Sequence, residues 1–176
     1  MAIDRIEYDK ASRLRNFYYG DEDYKLIGSI NKIQCFVSVQ DEVMMDVTFV
    51  SPKNSKCGYT VCEIGLTRGN DENPVWGIDI TRVDSRFQGH GLAPKFYKFL
   101  ISKLGITLKA GSMQSPGGRI IWTQLSNLNN VTVYAKTKNG KPYHVDSNDE
   151  GTELVSSGRY QIYDGKSETE LFAFAA

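Results

Sequence analysis

Gln88-Gly89-His90-Gly91-Leu92-Ala93 is the stretch whose residue types and spacing best suit chemistry. It joins a β-rich run, Trp76 to Val83, to an amphipathic run that begins at Leu92. Two glycines at such a junction allow a tight turn that presents successive main-chain N–H groups beside the positive end of a helix dipole. A phosphate or pyrophosphate fits that arrangement without any side-chain cation. Two other glycine motifs fail on inspection. A dinucleotide fingerprint needs a third glycine where Pro94 stands, and a phosphate loop needs Gly-Lys followed by Ser or Thr.

The stretch does satisfy the pattern Gln/Arg-x-x-Gly-x-Gly/Ala, with a Val-Asp strand end before it at Val83-Asp84. In this it resembles the GCN5-related N-acetyltransferases (GNAT family). The resemblance implies acetyl-coenzyme A (acetyl-CoA), its pyrophosphate held at Gln88, Gly89, His90, Gly91, Leu92 and Ala93, with the His90 side chain turned away. It also implies that the strand before the loop splays from a parallel neighbour. The pantetheine arm would then lie in the gap along Thr81, Arg82 and Val83, and a main-chain amide would hold the acetyl carbonyl. The implied reaction is direct attack of an amine on the thioester. The acceptor, a small molecule or a protein, is not specified by any residue.

Many members of that family carry Asn-x-x-Ala-x-x-x-Tyr at the start of the next helix, the Asn contacting the cofactor and the Tyr protonating the departing thiolate. Ser115, Gly118 and Trp122 hold those spacings here. Ser115 retains a donor and Gly118 permits close approach, but an indole N–H cannot replace a phenol in proton transfer. Arg119, in the first turn, is a candidate phosphate contact, as are Lys95 and Lys98. Gln114 to Trp122 followed by Val131 to Ala135 looks like acetyltransferase-like proteins encoded by bacteriophages. The resemblance spans about residues 75 to 135.

Amine attack on a thioester needs the amine deprotonated and the thiolate protonated. Asp79, Glu63 and Asp46 are the candidate bases, each on an expected strand, with Asp79 preferred. Tyr134 is the preferred candidate acid and Tyr97 the other. The bland readings are a solvent-facing carboxylate and a packed tyrosine. A second functional reading keeps the fold without the catalysis: a binding or inhibitory protein acting on a host protein. A third, a structural component of a virus particle, draws on the apolar end Leu171 to Ala176.

Positioning these residues requires a mixed, mostly antiparallel sheet with flanking helices, an α/β fold. Ile33 to Val39 and Val43 to Val50 read as a hairpin, with further strands at Gly58 to Leu66 and Pro74 to Val83. Leu92, Phe96, Phe99, Leu100 and Leu104 recur at helical spacing, and Gly105 stops that helix. Ile106 to Leu108 reads as a short strand. Ser115 and Pro116 open a second helix as cap and first helical residue. Val131 to Ala135 and Tyr143 to Val145 flank an Asn139-Gly140 turn. Arg159 to Tyr163 and Leu171 to Phe174 are expected as edge strands. Lys10 to Tyr19 is compatible with a short helix.

The remaining features exclude classes of function. A chain of 176 residues, 40% hydrophobic and without a linker, implies one domain over 1–176. Equal numbers of basic and acidic residues, 21 each, leave no overall field to draw the chain onto nucleic acid or an anionic membrane. No run approaches the roughly 20 apolar residues of a membrane helix. The charged start, Met1 to Glu7, lacks the apolar core of a signal peptide. Cys35, Cys57 and Cys62 form neither a disulfide framework nor, with His90 or His144, a metal motif. A reducing cytoplasm, that of the host if phage-encoded, is the expected compartment.

Overall fold

The computed structural model describes residues 13–68, 75–111, 116–137, 143–145 and 169–176. The expected strands at 159–163 and the turn at 139–140 lie outside them, as does the helix cap at Ser115. Ten strands make one sheet: β1 (Phe17–Tyr18), β2 (Lys25–Ile30), β3 (Ile33–Gln40), β4 (Met44–Pro52), β5 (Cys57–Arg68), β6 (Val75–Val83), β7 (Thr107–Lys109), β8 (Val131–Thr137), β9 (Tyr143–Val145) and β10 (Thr169–Ala175). Two helices, α1 (Leu92–Leu104) and α2 (Pro116–Ser126), complete the described elements. The sheet runs β2-β3-β4-β5-β6-β7-β10-β8-β9, with β1 added beside β5. Of the described pairings only β6 with β7 is parallel, so the α/β, mostly antiparallel architecture is as expected.

Local chemistry accounts for the first half. Asn31 and Lys32 both take positive φ between Ile30 and Ile33, the backbone of a tight hairpin turn. Tyr18 belongs to β1, so a helix does not extend over residues 13–19. Phe17 instead packs its ring 4.5 Å from that of Phe36 and 5.4 Å from that of Tyr24.

Helix α1 forms because Ala93, Phe96, Tyr97, Leu100 and Ile101 share one buried face. Gly105, at φ 63°, ends it in the left-handed conformation, and Lys103 lies in its last turn, opposite in sign to the dipole there. Its apolar face meets Val47, Phe49, Ile64, Leu66, Trp76 and Ile78 of the sheet. Phe49 stacks on Phe96 with centroids 4.0 Å apart and planes 10° from parallel. Burying each such ring contributes about 1.5–3 kcal/mol.

The C-terminal strand is a correction. Leu171 to Phe174 does not form an edge: β10 lies between β7 and β8, antiparallel to both. The alternation explains it. Leu171 and Ala173 are buried in the core, while Phe172 and Phe174 pack on Tyr134 across the other face. A strand apolar on both faces belongs in a sheet interior.

Candidate functional site

Strand β6, the turn 84–91 and helix α1 build the site. β6 pairs with β7 only over Val75 to Gly77 against Thr107 to Lys109. Beyond Gly77 no described strand pairs with β6 on that side, because β7 ends at Lys109. On its other side β6 stays paired with β5 to Val83, with an irregularity between Ile78 and Ile80 at Asp79. In open α/β sheets ligands bind outside the carboxyl ends of the parallel strands, the end to which the turn 84–91 belongs.

Asp84 fixes the start of the turn. Its carboxylate is fully buried and accepts from the main-chain N–H groups of Leu14 at 2.8 Å and Arg86 at 2.9 Å. It also accepts from Arg86 Nε at 2.8 Å and Nη2 at 3.0 Å. The Arg86 side chain beside it holds the Asp84 carboxyl down at about 2, against the opposing effect of burial. The guanidinium in turn sits 4.8 Å from the centre of the Tyr59 ring. Gln88 Nε2 donates to the Val83 carbonyl at 2.8 Å, bracing the far side of the turn. Thus the Gln88 side chain is engaged with the chain's own backbone.

Gly89 and Gly91 take φ of 79° and 65°, and a Cβ built on either meets nothing within 4 Å. The glycines therefore serve the bend, and the space over the turn is open. Gly91 caps α1 without a side-chain hydrogen bond, and no acidic residue lies in the first turn. Within a helix the amides of Gly91, Leu92 and Ala93 have no carbonyl a turn earlier to bond. They leave a positive helix end beside the carboxyl end of β6. His90 is exposed on the turn and Ala93 is buried under it.

Between β6 and α1, the Thr81 hydroxyl lies 2.5 Å from the Tyr97 hydroxyl. Tyr97 is 3% exposed, and its ring meets Trp122 of α2 edge-on at 6.3 Å. Trp122 is itself buried, and Val83 packs against the core on the same side. Arg82 alternates to the opposite face, where it pairs with Glu63 at 3.7 Å across β5. Of the three residues expected along the arm, Thr81 and Val83 thus face the helices and Arg82 does not.

The candidate bases share the face away from the helices. The Thr67 hydroxyl donates to Asp79 there, and Gln40 Nε2 donates to Asp46 at 3.3 Å. Tyr134 lies on that face as well, stacked on Phe172 at 5.2 Å. Three interstrand steps separate it from β6, roughly 14 Å at about 4.8 Å each. Burial pushes its hydroxyl above the ordinary range, which makes it a poorer acid. The structure therefore brings Tyr97, not Tyr134, to β6. Its helical spacing marked Tyr97 as buried, but only a view of Thr81 opposite it distinguishes it from packing.

Helix α2 follows β7 as α1 follows β6, so its N-terminus, with Pro116 and the helical position of Arg119, lies at the same end of the sheet. Among the described residues no three or more His, Cys, Asp or Glu side chains are grouped to hold a metal ion, and no helix is long and apolar enough to cross a membrane. Comparison with protein-family models gave no match, and comparison with curated proteins gave none either.

Proposed function

We propose that this chain is an acetyl-CoA-dependent N-acetyltransferase with a GNAT-like fold, acting on an amine acceptor. The observation that carries the reading is the edge of β6 left unpaired beyond Gly77 beside its only described parallel neighbour, with the glycine turn and an α1 N-terminus that no side chain caps at the carboxyl end of β6. Open space over Gly89 and Gly91 fits a group that approaches the backbone closely. The Gly91, Leu92 and Ala93 amides would hold the pyrophosphate, and the resemblance adds Ser115 and Arg119 as further contacts. Thr81 and Val83 would line the pantetheine arm.

When bound, the coenzyme supplies an activated acetyl thioester. The chain's part is to hold the arm in the gap, exclude water from its apolar floor at Trp122 and Val83, and offer β6 main-chain amides to the carbonyl. Positioning and carbonyl polarisation of this kind supply most of such a rate enhancement. Asp79, at the irregularity in β6, is the carboxylate nearest in sequence to the end of the β6–β7 pairing and the preferred base.

Calorimetric titration with acetyl-CoA tests the reading, beside a variant with Gly89→Val and Gly91→Val. Both substitutions oppose a positive φ, so they distort the turn rather than fill a cavity. Binding by the native chain that the folded variant loses supports the coenzyme site. A folded native chain that binds no acetyl-CoA removes the enzyme reading and leaves a partner-binding protein of the same fold.

A further inference from the structure

We infer that Lys53 and Arg86, which both lie over the Tyr59 ring, form an anion site of their own beside the glycine turn, and that it takes the terminal phosphomonoester of the ligand, the 3′-phosphate of coenzyme A. The inference rests on the coenzyme reading above. Lys53 Nζ is 5.2 Å and the Arg86 guanidinium carbon 4.8 Å from the centre of the Tyr59 ring. Tyr59 pairs with Ser51, two residues beyond Phe49, and β4 runs between them without an insertion. Phe49 stacks on Phe96, so Tyr59 stands on the face of the sheet that α1 covers. Arg86 belongs to the turn itself. The Asp84 N–H ties the start of that turn to β5 by donating to the Val61 carbonyl at 2.9 Å. The two cations therefore sit on the α1 side of the sheet, at the end where α1 begins.

Their charge is only partly answered. Asp84 engages Arg86 Nε and Nη2, which leaves Nη1 for another acceptor. Lys53 has no carboxylate partner among the described residues. One carboxylate thus serves two cations, and attraction to the Tyr59 ring holds both against their mutual repulsion. The loop that carries Lys53 is braced. The N–H groups of Lys53 and Asn54 donate to the Cys57 carbonyl at 3.3 and 3.1 Å, and Asn54 Oδ1 accepts from the Lys56 and Cys57 N–H groups at 2.8 and 3.0 Å. A pyrophosphate on the α1 amides needs no side-chain cation. That leaves Lys53 and Arg86 for a second phosphate group of the same ligand. A phosphomonoester carries a charge of about −1.5 to −2 near neutral pH and presents several acceptor oxygens, which suits an ammonium beside a guanidinium edge.

Calorimetric titration of the full chain with coenzyme A and with 3′-dephospho-coenzyme A tests the assignment. The second ligand keeps the pantetheine arm and the pyrophosphate and lacks only the phosphomonoester. The native chain should bind coenzyme A about tenfold more tightly than the dephospho form. Lys53 is exposed, so its replacement leaves the core untouched. Lys53→Gln should bring the preference below about threefold by weakening coenzyme A alone, and Lys53→Arg should restore it.

A native chain that binds both ligands equally, a preference that survives Lys53→Gln, or a Lys53→Gln chain that weakens on both ligands alike overturns the assignment and leaves the coenzyme site standing. A folded native chain that binds neither ligand overturns the coenzyme reading itself, and the assignment with it.

Discussion

Replacing Asp84 by Asn should cost about 3 kcal/mol of folding stability, and the cost should depend on pH. The carboxylate accepts four hydrogen bonds, two on each oxygen: Arg86 N–H and Nε on Oδ1, Leu14 N–H and Arg86 Nη2 on Oδ2. An amide keeps one of these oxygens and presents N–H groups to the donors at the other. Two bonds to a charged acceptor are lost at about 1.5 kcal/mol or more each. The titration of Asp84 leads to a similar figure. Its pKa falls from 3.8 to about 2, and a drop of nearly two units is worth about 2.5 kcal/mol at roughly 1.4 kcal/mol per unit. A depressed carboxylate stabilises fully above its unfolded pKa, and that contribution is lost as pH falls through its folded one. Urea unfolding of native and Asp84→Asn chains should therefore differ by about 3 kcal/mol near about pH 6, and the gap should close between about pH 4 and about pH 2. A gap under about 0.5 kcal/mol at pH 6, or one that does not shrink on acidification, would refute the clasp as a source of stability.

Other perturbations give separate checks on the packing. Gly58→Ala drives its Cβ into Val50 Cγ1 and to 2.8 Å from the Ser51 carbonyl, so it should cost about 1–3 kcal/mol in a thermal melt. Gly77→Ala, 3.5 Å from the Thr67 carbonyl, should cost less than about 1 kcal/mol. Burial raises the Cys35 thiol to about 12 and pushes Cys62 up further. An aromatic disulfide reagent at about pH 8 should therefore leave both unmodified until urea is added. Removing residues 169–176 takes Leu171 and Ala173 from the core and the Ala110 N–H from its acceptor at Leu171. Circular dichroism should show loss of cooperative unfolding, and a truncated chain that melts like the native one would contradict the interior placement of β10.

Strong periodicity was readable in the sequence and weak turn chemistry was not. The α1 bounds follow from the three- and four-residue spacing of Phe96, Phe99, Leu100 and Leu104 and from Gly105, all local signals. β2 gave no comparable sign, because its hairpin turn uses Asn31-Lys32 and lacks the glycine that usually marks positive φ at both positions. The interior place of β10 depends on contacts made far along the chain, with β7 and β8. Alternation in Leu171 to Phe174 reports only that both faces are apolar. A local pattern of that kind fits an edge capped by aromatics as well as a sheet interior.

The site shows most sharply where alternation misleads. Counted by twos from the buried Trp76 and Ile78, Ile80 and Arg82 fall on the helix face, and Asp79, Thr81 and Val83 on the other. The pairing with β5 takes an extra residue between Ile78 and Ile80, so Ile80 pairs with Gly65 and Thr81 with the buried Ile64. One inserted residue therefore exchanges the faces of everything after it. Thr81 turns toward Tyr97, and Val83 toward the core, while Arg82 meets Glu63 on the far side. Asp79 is that extra residue, which leaves its carboxylate exposed beside Thr67 rather than under α1. The hydroxyl pair and the carboxylates consequently occupy opposite faces of one strand. Chemistry that uses both would have to cross the edge of β6 beyond Gly77, where no described strand pairs with it on that side.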